Sequence, residues 1–206
     1  MSPLQKCLTL FLFLLSQKLF AQCSAVVNTF PYNESFESST ANWVSGGTNN
    51  DWAWGSPTKA TINSAGVGSK CWITGGLVSS FYNYGQRSWV ESPCFDFSLL
   101  NRPYLTFLVF WDTERNYDGG NIQYSIDGGT TWINVGSINS SNACTDQNWF
   151  TNSSVINLNG LVNTAQGWSG TVKPSSGSCS GGGGSGVWKF ATRCIKNLPN
   201  VKRNFT

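Results

Sequence analysis

The sequence predicts an all-β fold built as a two-layer sandwich. Three observations carry this. Helical periodicity is almost absent, since apolar residues do not recur at the three- and four-residue spacing of a buried helix face. The chain has 22 glycines and ten tryptophans but only 11% charged residues, so turn formers and large aromatic fillers stand where surface helices would carry charge. Finally, the strand-like runs are short and end at Gly, Pro, Asn or Ser.

Residues 1–22 read as a processing signal and not as structure. Lys6 supplies the positive start, residues 8–15 (LTLFLFLL) the short apolar run, and Leu19-Phe-Ala21-Gln22 the exit. The run is too short to span a bilayer. Cleavage after Ala21 or Gln22 fits. Cys23 then suggests lipid attachment, against which Gln22 occupies the place of a small residue. Residues 23–206 are read as one domain with its own core.

The predicted strands follow in order: 30–36, 88–91, 104–111, 121–126, 131–135, 154–158 and 187–194. Tyr104-Leu-Thr-Phe-Leu-Val-Phe-Trp111 is nearly continuously apolar and reads as a central strand. Leu105, Phe107, Val109 and Trp111 share one face, while Leu108 and Phe110 lie on the other, so both faces are expected to be covered. Residues 42–68 and 174–186 are long loops. The second contains Gly181-Gly-Gly-Gly184 and lies between Cys179 and Cys194.

Composition also excludes chemistry. There is no histidine, so Ser-His-Asp and Cys-His catalysis lack their proton shuttle and most zinc hydrolase sites lack their ligand. Seven cysteines less Cys7 leave six in the exported part, an even number that favours disulfides, and no Cys-x-x-Cys spacing points to zinc. All ten acids precede Gln147, whereas Lys173, Lys189, Arg193, Lys196, Lys202 and Arg203 follow it. These bases are interleaved with apolar residues. They read as the solvent face of a strand pair, and nucleic acid is not an expected partner.

The stretch Ser125-Ile-Asp127-Gly-Gly129-Thr-Thr131-Trp132 matches an Asp-box, a pattern found in sialidases and many other proteins. Every residue in it has a folding role. Asp127 can cap backbone amides, the glycines accept positive φ, and the indole can cover the hairpin. A sialidase needs several boxes and an arginine cluster. One box without that cluster reads as a structural hairpin.

Two acidic sets remain. Asp112 and Glu114 share a face if the central strand continues, at the short end of the carboxylate spacing of glycosidases. Their alternatives are a solvated strand end or oxygen ligands for Ca²⁺. Glu34 and Glu37 on one segment and Asp51 on another could supply the oxygen ligands of a structural Ca²⁺ site, with exposed carboxylates in a long loop as the alternative. Trp52 and Trp54, in a loop closed by Gly55, are candidate surface rings for stacking on sugars, although core packing is the preferred reading of them. The sequons at Asn33, Asn139, Asn152 and Asn204 matter only in a eukaryotic secretory route.

The order of segments resembles MAM-like domains. The resemblance rests first on Phe30-Pro-Tyr-Asn-Glu-Ser-Phe-Glu37, Trp43, Asn50-Asp-Trp-Ala-Trp-Gly55 and Cys71-Trp-Ile-Thr-Gly75. It continues through Glu91-Ser-Pro-Cys-Phe-Asp96, Pro103 with the apolar strand, Asp118-Gly119 with the box hairpin, Gly167-Trp-Ser-Gly170 and Arg193-Cys-Ile-Lys-Asn-Leu198. It is similar to modules of large secreted surface proteins of gliding bacteria of the Bacteroidetes type, some of which carry peptidase or sorting domains. The resemblance implies a jelly-roll of two antiparallel sheets with the terminal strands adjacent. It also implies adhesion or partner binding outside the cell, and a cation held through Glu37, with Asp51 a looser candidate. Such modules continue past a stretch like Asn197-Leu-Pro-Asn-Val201 into further strands, so the sequence is expected to lack its last strands.

The expected function is therefore that of an exported, non-catalytic adhesion module, secreted or at the cell surface, binding an extracellular protein or glycan. The alternatives are a carbohydrate-binding module using Trp52 and Trp54, or the accessory domain of a secreted peptidase or glycoside hydrolase.

Overall fold

The structure is a computed structural model that describes residues 26–79, 81–138, 146–158, 165–173, 182–195 and 202–205. Residues 1–22, expected to be a processing signal, and Cys23, Cys144, Cys179, Gly181, Lys196 and residues 197–201 lie outside them.

The fold is all-β, made of small, mostly antiparallel sheets. The strands are β1 (Val26–Val27), β2 (Val44–Thr48), β3 (Ala53–Gly55), β4 (Cys71–Ile73), β5 (Arg87–Glu91) and β6 (Cys94–Asp96). They continue with β7 (Tyr104–Val109), β8 (Gly119–Gly120), β9 (Gln123–Ser125), β10 (Ile133–Asn134), β11 (Trp168–Ser169), β12 (Lys189–Cys194) and β13 (Lys202–Phe205). One sheet runs β1-β6-β13-β9-β10, and the remaining strands pair as β2 with β5, β3 with β4, β7 with β12, and β8 with β11. Among the described residues only β1 with β6 is parallel. Residues 202–205, where the sequence reading places the break before the last strands, form a strand between β6 and β9.

β7 shows why an apolar run becomes a strand here. Leu105, Phe107 and Val109 alternate toward the core, joined by Trp111, while Tyr104 and Thr106 face out. Its other face is covered too. Gly66 lies against Leu108 and Trp188, the Trp188 indole N–H donates to Ser64 O (3.0 Å), and Phe110 meets Trp188 edge-on at 5.9 Å. Among the described residues β7 pairs only with β12, whereas β12 also bridges Gln147 through Thr192.

The core is an aromatic cluster of Phe95, Phe97, Tyr124, Trp149, Phe150 and Trp168 with Val135, Ala191 and Ile195. Trp168 meets Phe150 at 5.0 Å, Trp149 at 5.5 Å and Phe107 at 5.8 Å, each edge to face. Burying a side chain of this kind contributes about 1.5–3 kcal/mol, provided the indole N–H keeps a partner. Trp149 donates to Val135 O and Trp168 to Asn148 O, both at 2.8 Å.

Two other expectations are corrected. Residues 154–158 are not a strand: Ile156–Leu158 is a 3₁₀ turn, and the amides of Ile156 and Asn157 donate to Asn116 O and Tyr117 O. Residues 30–36 do not form a strand either, with a cis Phe30-Pro31 bond and Phe36 at φ 62°. Cys94 and Cys194 each take part in a disulfide, but Cys71 is a buried free thiol, so the six cysteines after residue 22 are not all paired.

Arg193, expected on a solvent face, is 3% exposed. Its Nη1 lies 3.0 Å from Asp146 Oδ2 and its guanidinium sits over the Trp149 ring at 5.9 Å. Asp146 Oδ1 meanwhile accepts the Cys194 N–H at 3.1 Å. The bases on β12 thus divide, with Lys189 at the rim and Arg193 inside.

Candidate binding site

The box hairpin is a closed hydrogen-bonded unit. Ser125 Oγ donates to Asp127 Oδ1 (2.8 Å) and accepts the Gly129 N–H (2.7 Å). Asp127 accepts the Thr131 N–H (2.9 Å) on Oδ1 and the Thr131 hydroxyl (2.6 Å) on Oδ2. Gly128 and Gly129 make the turn at φ 70° and 86°, conformations that a Cβ would strain. The Thr131 bonds, then that from Ser125, hold the Asp127 carboxyl down at about 2. Both of its oxygens are engaged in folding, as the structural reading of the box expects.

Glu37 plays a similar part elsewhere. Its Oε1 accepts the amides of Ser69 and Lys70, and its Oε2 the Ser69 hydroxyl, all at 2.8 Å. These bonds, led by the Lys70 amide, hold the carboxyl below its ordinary range. The Lys70 ammonium donates to Glu37 O (2.9 Å) and lies over the Trp54 ring at 4.6 Å. Glu37 therefore ties the 69–70 turn to the 36–37 segment. Glu34 works locally, its Oε1 accepting the Phe36 amide at 2.6 Å.

Asp51 serves a different loop. Its Oδ2 accepts the Asn83 amide (2.7 Å) and its main-chain oxygen accepts the Gly76 amide (3.0 Å). Oδ1 is buried without a hydrogen-bond partner. Nearby Lys59, 9% exposed, donates to Thr74 O at 2.6 Å. Burial pushes its ammonium below the ordinary value, and the Asp51 charge counters that. Ca²⁺ takes about six to eight oxygen ligands. Among the described residues no group of three or more acidic, cysteine or histidine side chains converges. Glu37 and Asp51 are each bonded to a different loop.

Trp52 and Trp54 are half-buried, not exposed as a sugar platform requires. Trp54 donates to Phe36 O (2.8 Å), pairs in register with Trp72, and has Lys70 over its ring. Asp112 and Glu114 are not a strand pair, because β7 ends at Val109 and Asp112 bridges Gly184. The acid near Glu114 is Asp118, whose Oδ2 accepts the Tyr82 hydroxyl (2.7 Å) and Oδ1 the Asn157 amide (2.6 Å). Burial first, then the Asp118 charge, raises the Glu114 carboxyl.

The surface these groups build is the loop over 76–79 and 81–86, which the sequence reading overlooked. It is held from below by Asp51 on Asn83 and Asp118 on Tyr82. Asn49 adds its main-chain oxygen to the Asn83 amide group (3.1 Å) and its own amide group to Tyr84 O (3.0 Å). Above these anchors Phe81 is 80% exposed, Tyr84 91% and Val78 74%. The sequence signal was present in Phe81-Tyr-Asn-Tyr84, an aromatic run without a charge. Which rings face out is decided by anchors from distant segments.

Among the described residues no helix is long and apolar enough to cross a membrane. No family model and no solved structure matches the chain. Over 116 residues the chain is 30% identical to Bacillopeptidase F of Bacillus subtilis (strain 168), a match covering 54% of this chain and 8% of that protein.

Proposed function

We propose that the chain is a non-catalytic contact module of an exported protein, of the MAM-like jelly-roll type, that binds an extracellular partner through the 76–86 loop. One observation carries this: large rings are presented to water on a loop that half-buried Asp51 and Asp118, with Asn49, hold in place. Exposed aromatic residues on an ordered loop are typical of contact surfaces. The first and last described strands both flank β6, which fits the adjacent terminal strands that the resemblance implies. The Glu37 and Asp127 carboxylates are tied into turns, and the sequence holds no imidazole to move a proton. The partial likeness to Bacillopeptidase F favours a placement beside a peptidase domain in a longer chain, with this part as its accessory module.

The test uses beads coated with the folded chain and cells of the organism that encodes it. Wild-type beads adhere, and the Phe81→Ser/Tyr84→Ser variant keeps its melting temperature but loses adherence. Unchanged adherence of the variant, or turnover of peptides or glycosides by the purified chain, would overturn the reading.

A further inference from the structure

A second surface lies on another part of the molecule. A groove of about 390 Å³ is lined by Trp111, Arg115, Asn116, Thr151, Asn152 and Thr171, with Ser169 and two glycines at its base. This is within the range of about 300–1,000 Å³ of small-ligand sites. The glycines set its shape. A Cβ on Gly170 would lie 1.6 Å from Thr113 O, and one on Gly184 1.9 Å from Trp111 O, so neither position can carry a side chain.

The lining is chemically one-sided. Trp111 is fixed, its N–H donating to Ser169 O (3.0 Å) and its ring tilted against Trp168 at 6.4 Å. What it offers a ligand is carbon surface. Asn116 is held by its amide on Ser169 Oγ (3.0 Å) and by Asn152, which donates to Asn116 Oδ1 (2.6 Å). Among the described residues the Asn116 side-chain N–H₂ and the Arg115 guanidinium have no intramolecular partner, and Arg115 is exposed. No carboxylate lines the groove. Asp112, Glu114 and Asp118, the nearest acids in sequence, are not lining residues, although Asp112 bridges Gly184 beside the groove.

An apolar ring, amide and hydroxyl donors and one free guanidinium are together the groups that a carboxylated sugar can engage. We infer that this groove binds a carboxylated pyranose, a uronic acid unit. The indole covers the apolar side of the sugar ring. Asn116, Asn152 and Thr171 meet its hydroxyls, and Arg115 takes the carboxylate through two parallel N–H···O bonds. A neutral sugar lacks the last contact, and a simple carboxylate lacks the others. The groove and the 76–86 loop share no residue, so this inference stands or falls separately from the proposed function.

The experiment is a titration of the full folded chain with glucuronate, a galacturonate trisaccharide, glucose and acetate, followed by calorimetry and by the Trp111 indole N–H resonance. Glucuronate is expected to bind about ten- to a hundred-fold more tightly than glucose, the worth of a hydrogen-bonded charge. Acetate is expected to be weaker still. A tighter trisaccharide marks a polymer as the natural source, and equal affinity marks the free acid. Arg115→Gln should bring glucuronate down to the level of glucose without moving the melting temperature. Thr171→Val, also at an exposed position, should weaken both sugars. Four results would each sink the inference: no binding of glucuronate, equal binding of glucose, equal binding of acetate (an anion site only), or an Arg115→Gln variant that binds as wild type. In each of these cases loop-dependent adherence would be untouched.

Discussion

The Arg193–Asp146 pair gives the sharpest test of the packing. Their side chains are 4% and 13% exposed with 3.0 Å between Nη1 and Oδ2. The perturbation is Arg193→Met, which keeps aliphatic bulk against Trp149 and leaves the Asp146 carboxylate buried without its counter-charge. Removing one partner of a buried pair costs about 3–5 kcal/mol, because the surviving charge has lost water and gained nothing. For a domain of this size each kcal/mol moves the midpoint by about 2–4 °C, so the melting temperature should fall by about 6–20 °C. Asp146→Asn keeps the oxygen that accepts the Cys194 amide at 3.1 Å and isolates the charge from the other side. The double variant leaves no charge stranded and should recover most of the loss. Urea unfolding of the four proteins closes the cycle, with unchanged m-values as the check on two-state behaviour. Raised salt should hardly alter the coupling, since a buried pair is screened little. If each single variant costs less than about 1 kcal/mol and the two costs add, the pair is a surface contact and the reasoning fails.

Acid should act through Asp127. Its folded carboxyl sits at about 2 against an ordinary 3.8, so the stability it gives is complete above the ordinary value and is lost as pH falls toward 2. Asp127→Asn should flatten that part of the pH profile in urea midpoints between pH 5 and 2, and an equal fall in both proteins would refute the link. Ca²⁺ in excess over chelator should leave the melting temperature unchanged, since Glu37 already holds three donors. A rise of several degrees that Asp51→Asn removes would mean that the two loops rearrange around the ion.

Much of the fold was legible because its causes are local. The strand character of β7 follows from alternating apolar side chains, and the box hairpin from Asp127, two glycines and Thr131 within seven residues. Those groups find their partners along the chain, so spacing alone predicts them. The pieces that failed are those whose partners lie far away. Arg193 looked solvent-facing until Asp146 and Trp149 met it from other segments. The bonds by which Glu37 and Asp51 hold the separate loops at 69–70 and 83 were likewise hidden in the sequence. The exposed rings of Phe81 and Tyr84 depend on Asn49, Asp51 and Asp118.

By itself, then, the sequence determined the all-β class and the hairpin, and through the missing histidine it excluded the imidazole-dependent chemistries. Only the tertiary structure decided which charges are inside, which rings face water and where a groove opens. The reason is that burial and hydrogen-bond satisfaction depend on every segment packed around a group, and residue spacing encodes only the neighbours along the chain.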